Sequence, residues 1–320
     1  MTSVSTGHVL PPEPPASTAD AAIARVVTRL STEYVLRAFE LLIDMYGDLR
    51  AGLLAHAINI ANLAHIDDRT DESRAAVGPE GIYPDEMRRP ISVARIADAA
   101  GLPFESVRRV VQQLIIAGAC ERVQGGVIVP RATIERPGNL RAVHANVGYV
   151  RRLMQGVQAA NLIGQVPASL TVAAGADGTA IARLVARLSS AYLLRALQLL
   201  TDTYGDVRAG VVAQTIVAAN TSYLDTRTGG GWRYAGVDET PPDEARRPVS
   251  IVRVAESLRV PYETVRRQVE RLVDANICVR VQGGVIVPRA LLESPGAVGA
   301  MLTNVGYVRK FARDLDAIRI

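Results

Sequence analysis

From Asp20 to about Met45, apolar residues return every three or four positions: Ile23, Val26, Val27, Leu30, Tyr34, Leu41 and Leu42. Arg25, Arg29, Glu33, Arg37 and Glu40 fall largely on the other side. That period predicts an amphipathic helix. Gly47 breaks it, and Asp48 is placed to cap a second helix running to about His65. The second helix is apolar nearly all round (Leu53, Leu54, Ala57, Ile58, Ile60, Ala61, Leu63), which predicts a position deep in a bundle or at a contact between like domains. Residues 67–89 lose the period and carry charge, Gly78, Pro79, Gly81 and Pro84, so they read as a long arm. Ser92 then caps a short helix, Val93 to Ala100, and Gly101 supplies a left-handed turn residue. Pro103 opens the next helix, where its missing N–H costs nothing, and the helix runs to about Ala117 with Val107, Val110, Val111, Leu114 and Ile115 on one side. Two β-branched runs around Gly125-Gly126 predict a hairpin. A closing helix spans roughly Asn139 to Val157.

The whole pattern is then repeated. Ile23 to Lys310 divide into two copies that align without a gap at an offset of 158 residues, so that Ile23 matches Ile181, Asn62 matches Asn220 and Tyr149 matches Tyr307. A self-match this long indicates a duplicated domain, since solenoid units run to about 20–50 residues. The expected organisation is a disordered tail over 1–19, a first domain over 20–163, a linker over 164–179 rich in Ala, Gly, Thr and Ser, and a second domain over 180–320. The copies are least alike in the arms, 67–89 against 225–247. The eleven letters RVQGGVIVPRA, at Arg122–Ala132 and Arg280–Ala290, are identical.

Composition narrows the function classes. The net charge of +4 permits a polyanion partner without demanding one, and Lys310 is the only lysine, so the positive charge is almost all arginine. Cys120 and Cys278 stand at equivalent places beside apolar residues and read as buried thiols, with neither disulfide nor zinc spacing. His8, His56, His65 and His144 are scattered. With no nucleophile–base pair and no metal cluster, an enzyme, a metal site and a cofactor are not expected. The N-terminus has no signal-peptide pattern and no run reaches the ~18 apolar residues of a membrane span, so no membrane partner and a cytoplasmic, nucleoid-associated location are expected.

Helix, glycine turn, longer helix and hairpin, in that order and at those lengths, form a winged helix-turn-helix pattern. The second helix would present Phe104, Glu105, Ser106, Arg108, Arg109 and Gln112 outward in the first copy. Tyr262, Glu263, Thr264, Arg266, Arg267 and Glu270 correspond in the second, and five of these six pairs keep their chemical type. An arginine early in such a helix can make two parallel hydrogen bonds to guanine, and hydroxyls suit phosphate. Gln124 and Gln282 at the hairpin tip, and Arg131 and Arg289 at its exit, are further candidate DNA contacts. Arg88, Arg89, Arg246 and Arg247 at the arm ends would either clamp phosphates or simply be solvated. The matched NVGYVR segments at 146–151 and 304–309 fit packing in the core and between copies, with Tyr149 and Tyr307 as anchors.

The segment ISVARIADAAGLPFESVRRVVQQLIIAGACERV, and its repeat VSIVRVAESLRVPYETVRRQVERLVDANICVRV, resemble the DNA-reading module of winged-helix transcriptional regulators, the MarR-like group in particular. The resemblance covers roughly a quarter of each copy; the long arms are not part of that pattern, and the wing is short. It implies a mainly α fold with small β-wings: two tandem winged helix-turn-helix domains flanked by pairing helices and related by a pseudo-two-fold axis. The function it implies is a bacterial-type transcriptional regulator, one chain acting as a pseudo-dimer on two similar half-sites of double-stranded DNA. It leaves room for a small-molecule effector and for a homodimer of whole chains. The alternative is a winged-helix protein-interaction scaffold that binds no DNA.

Overall fold

A computed structural model describes residues 17–66, 80–175, 177–224 and 230–318. The fold is largely α-helical, with two small antiparallel hairpins. The first half holds α1 (Thr18–Tyr46), α2 (Leu49–Leu63), α3 (Val93–Ala100), α4 (Phe104–Ile116), β1 (Glu121–Val123), β2 (Gly126–Ile128), α5 (Arg131–Ile134) and α6 (Pro137–Ala159). A short helix, α7 (Ser169–Ala173), leads into the second half. There follow α8 (Thr179–Tyr204), α9 (Val207–Asn220), α10 (Ile251–Leu258), α11 (Tyr262–Asp274), β3 (Val279–Val281), β4 (Gly284–Ile286), α12 (Arg289–Leu292) and α13 (Pro295–Asp316).

The four long helices α1, α6, α8 and α13 pack in a closed ring, two from each half. Their apolar stripes meet around Tyr34, Tyr192 and Phe311; the Tyr192 and Phe311 rings stack at 5.2 Å. Buried polar side chains fix how the halves meet. Tyr34 donates to Asn146 Oδ1 at 3.2 Å, and Asn146 Nδ2 donates across to Ser189 Oγ at 2.9 Å. The reciprocal set joins Tyr192 to Asn304 at 3.2 Å and Asn304 to Ser31 at 3.0 Å. Every member is buried, so a shifted register would leave these groups unpaired in a dry interior. The NVGYVR segments therefore serve packing chiefly through their asparagines, with Tyr149 and Tyr307 half-buried beside them.

Each hairpin is fastened by one buried asparagine. Asn62 donates to the carbonyls of Arg89 (2.9 Å) and Val127 (3.1 Å) and accepts from the Val129 N–H at 3.0 Å. Asn220 does the same for Arg247, Val285 and Val287. Ile91 and Val249 add a bridge to the second strand of each hairpin, so close that a Cβ on Gly126 would lie 2.3 Å from the Ile91 carbonyl oxygen. Only glycine fits there.

The segment expected as a linker is packed. Leu170 and Ala173 are fully buried, and Ser169 Oγ donates to the Leu315 carbonyl at 2.8 Å. Small residues here let α7 lie close against the ring, which a loose tether would not do. The helix α1 starts earlier than its period indicates, because Ser17 and Asp20 form a capping box. The tail expected over 1–19 thus falls outside the described residues except for 17–19, which belong to that helix end; the arm residues 67–79 and 225–229 also fall outside. The described ends of the arms reach the opposite half. Gly81 closes on Ala180, and Arg187 lies over the Tyr83 ring at 5.0 Å. In return, the Ala235 carbonyl accepts from the Arg25 N–H at 2.9 Å, and the Tyr234 carbonyl accepts from the Arg29 side chain at 2.8 Å. No helix among the described residues is long and apolar enough to cross a membrane.

Candidate nucleic-acid interface

Both α4 and α11 bury one side and leave the other open. Val107, Val110, Val111 and Leu114 of α4 pack inward, as do Val265, Gln268, Val269 and Leu272 of α11. A proline precedes each helix and a carboxylate, Glu105 or Glu263, sits in its first turn, where it complements the exposed N–H groups. The shorter helices α3 and α10 are capped by Ser92 and Ser250. Both end in a left-handed residue, Gly101 (φ 60°) in the first half and Arg259 (φ 49°) in the second. That turn sets the angle at which α4 and α11 leave the body.

The outward faces carry the expected residues. Phe104 and Tyr262 are each 45% exposed, large aromatics that a core would claim if either were structural. Arg108 pairs with Glu105 at 2.9 Å, and this carboxylate holds the guanidinium above its ordinary pKa. Arg266 pairs with Glu263 at 3.0 Å and also with Glu270. The two helices differ at this point, because Gln112 stands where Glu270 does and leaves Arg108 with one carboxylate instead of two. Arg109, Arg267 and Gln112 are exposed, Ser106 is half-buried and Thr264 is exposed. Arg109 and Arg267 make no hydrogen bond or ion pair among the described residues.

The hairpin tips place Gln124 and Gln282 in solvent, in turns whose second residue is left-handed: Gly125 at φ 93° and Gly283 at φ 92°. Beside them Arg122 and Arg280 are exposed on the first strand of each hairpin. These two arginines were open to sequence reasoning, since they head the identical eleven letters, but their facing is not fixed by a three-residue strand.

One set of expected contacts is corrected. Arg88 and Arg246 turn inward and are 5% and 3% exposed. Each forms an ion pair with the aspartate three residues before it, Asp85 at 3.0 Å and Asp243 at 3.1 Å, and burial lowers both pKa values. They cannot meet a phosphate. Their neighbours Arg89 and Arg247 remain exposed, and Arg247 lies over the Tyr223 ring at 5.3 Å. Arg131 and Arg289, just past each hairpin, start α5 and α12 with 42% and 49% of their side chains exposed. Each is tied to a glutamate one turn on, Glu135 at 2.5 Å and Glu293 at 2.7 Å.

Cys120 and Cys278 are buried free thiols pushed up to about 12 by desolvation. A thiol in that environment is inert. Among the described residues, no group of three or more His, Cys, Asp or Glu side chains is placed to hold a metal ion. No family model, curated protein or solved structure matches this chain.

Proposed function

We propose that the chain is a transcriptional regulator that binds double-stranded DNA through two winged helix-turn-helix units, acting as a pseudo-dimer on two similar half-sites. The observation that carries this reading is the matched pair of outward faces, Arg108-Arg109 and Arg266-Arg267, on helices whose opposite sides are buried. Arg108 and Arg266 would read guanine, Arg108 leaving one weak surface ion pair and Arg266 two. Ser106 and Thr264 would bond phosphate, as would Arg89 and Arg247, while Gln124, Gln282, Arg122 and Arg280 would approach from the hairpins. Because Arg266 must leave two carboxylates and Arg108 only one, the first unit is the stronger reader.

Holding both units in one body makes the second contact intramolecular and tightens the whole. Capture of genomic fragments tests the reading. Binding that falls steeply between 50 and 200 mM salt is expected, from roughly the number of phosphates neutralised. Failure to retain any duplex at low salt would end it. The scaffold alternative has one observation in its favour: Ile116 and Val252 are 78% and 51% exposed, apolar side chains suited to a protein partner. A scaffold would bind that partner with little dependence on salt.

A further inference from the structure

Two cavities lie between the halves at equivalent positions, each lined by both. The first, about 110 Å³, is lined in part by Leu42, His56, Asn59, Arg88, Val143 and Arg187. The second, about 120 Å³, has Leu200, Gln214, Val217, Arg246, Met301 and Arg29 at the matching places. Their backbone frame is shared, and their polar chemistry is not.

The difference centres on one guanidinium. In the first cavity Arg88 is fully engaged: Nε to Asp85 at 3.0 Å, Nη1 to Asn59 Oδ1 at 2.9 Å and Nη2 to the Tyr83 carbonyl at 3.3 Å. In the second, Arg246 Nε reaches Asp243 at 3.1 Å and Nη2 reaches the Pro241 carbonyl at 3.0 Å, but Nη1 is buried without a partner. The reason is Val217, which stands where Asn59 does and offers no acceptor. The Arg246 side chain is 0% exposed, so water outside the protein does not reach it. A second donor in the same cavity, the Thr28 hydroxyl, is also buried and unpartnered; Ala186 takes its place in the first cavity. The first cavity keeps one unmatched donor, Nε of Arg183, on a side chain whose head donates to the Ile134 carbonyl at 2.9 Å.

The second cavity is short of negative charge. Arg25, Arg29 and Arg246 all line it, and none of its lining residues is acidic. Burial and the charge of Arg25 pull Arg29 down to about 10. Val35, Phe39, Leu200 and Val211 give it an apolar side, and Ser31, Thr32, Gln214 and Asn304 also line it. A cavity of about 150 Å³ takes benzene, so this one, at about 120 Å³, suits a short aliphatic chain.

We infer that the cavity at Arg246 is a binding site for a compact apolar carboxylate, with one oxygen on Nη1 of Arg246 and the Thr28 hydroxyl as second donor, and that the cavity at Arg88 is not. The inference stands apart from DNA binding. A charge-assisted hydrogen bond to a buried head group is the strong kind, and the neutral analogue forfeits it.

Calorimetric titration of the full chain with hexanoate, and with its neutral amide, tests this. One hexanoate per chain is expected, with the amide bound at least about 10-fold more weakly. Val217→Asn gives Arg246 the acceptor that Arg88 has and should weaken hexanoate by a similar factor. Asn59→Val does the reverse and should open a second site per chain, which keeps the idea testable if the first variant folds poorly. Equal affinity for acid and amide, two sites in the parent chain, an Asn59→Val variant that gains none, or no uptake of hexanoate at millimolar concentration would each overturn it.

Discussion

The outward faces of α4 and α11 can be set against the two cavities between the halves. On the faces, Arg108, Arg109 and Gln124 recur as Arg266, Arg267 and Gln282, although no core packing holds them to those identities. In the cavities, His56 has become Gln214, Asn59 has become Val217 and Tyr83 has become Pro241. Packing alone would favour the opposite outcome, with the interior kept and the surface free to drift. Recent copying would keep both. The outward arginines are matched between the halves, while each cavity has its own polar chemistry.

The largest expected effect is on the faces. Arg108→Ala combined with Arg266→Ala should abolish specific DNA binding, at roughly 1–3 kcal/mol for each lost base contact, and leave the melting temperature unchanged. Retained footprints would remove these residues from the interface. Arg108→Ala alone should cost more than Arg266→Ala, because Arg266 is the more tightly held by carboxylates.

Next come the buried residues, where the two halves can be perturbed one at a time. Burial pushes His56 down to about 4 from an ordinary 6.5, and its Nδ1 lies 2.7 Å from Ser190 Oγ. A histidine held neutral costs nothing above its unfolded pKa. As the pH falls from about 6.5 toward 4 the unfolded chain takes up a proton that the folded one refuses, and stability drops by about 3 kcal/mol in all. His56→Gln copies the second half, so denaturant melts of this variant should lose that share of the acid-side decline. Asn62→Ala and Asn220→Ala strand the same two carbonyls and one N–H, and each should lose about 3 kcal/mol in urea melts. A large difference between them would show that the hairpins are fastened differently. The smallest effect is at the turn: Gly101→Ala forces a side chain into a left-handed residue and should cost about 1 kcal/mol, a strain that Arg259 already carries in the second half.

Much of this was legible in the sequence. The helical period from Ile23 to Leu42, the glycine and proline at Gly101 and Pro103, and the Gly125-Gly126 turn specify their elements locally. What was missed depends on the far side of the chain. Leu170 and Ala173 lie in a run of small residues with no period, and only the neighbouring helices give them a buried place. In Arg88-Arg89 nothing local says which one turns inward, since Asp85 stands three residues before Arg88 and Glu86 three before Arg89. The α5 and α12 turns are four residues long, too short for a period, so nothing in the sequence marks Arg131 and Arg289 as their first residues. At the interface, the outward residues of α4 were legible because its buried stripe is regular, whereas Arg122 was not, because its strand holds three residues. The cavity at Arg246 needed coordinates, since Asn59 is 29 residues from the Arg88 it satisfies, and Val217 signals nothing by itself.

The most direct measurement is hydroxyl-radical footprinting of the parent chain on duplexes selected from genomic DNA, with the number of chains per duplex counted in the same complex. One chain per duplex is expected, protecting two related half-sites whose centres are about one helical turn, or a multiple of it, apart. Protection of a single half-site by each chain, or no protection at low salt, would contradict a pair of readers joined on one body.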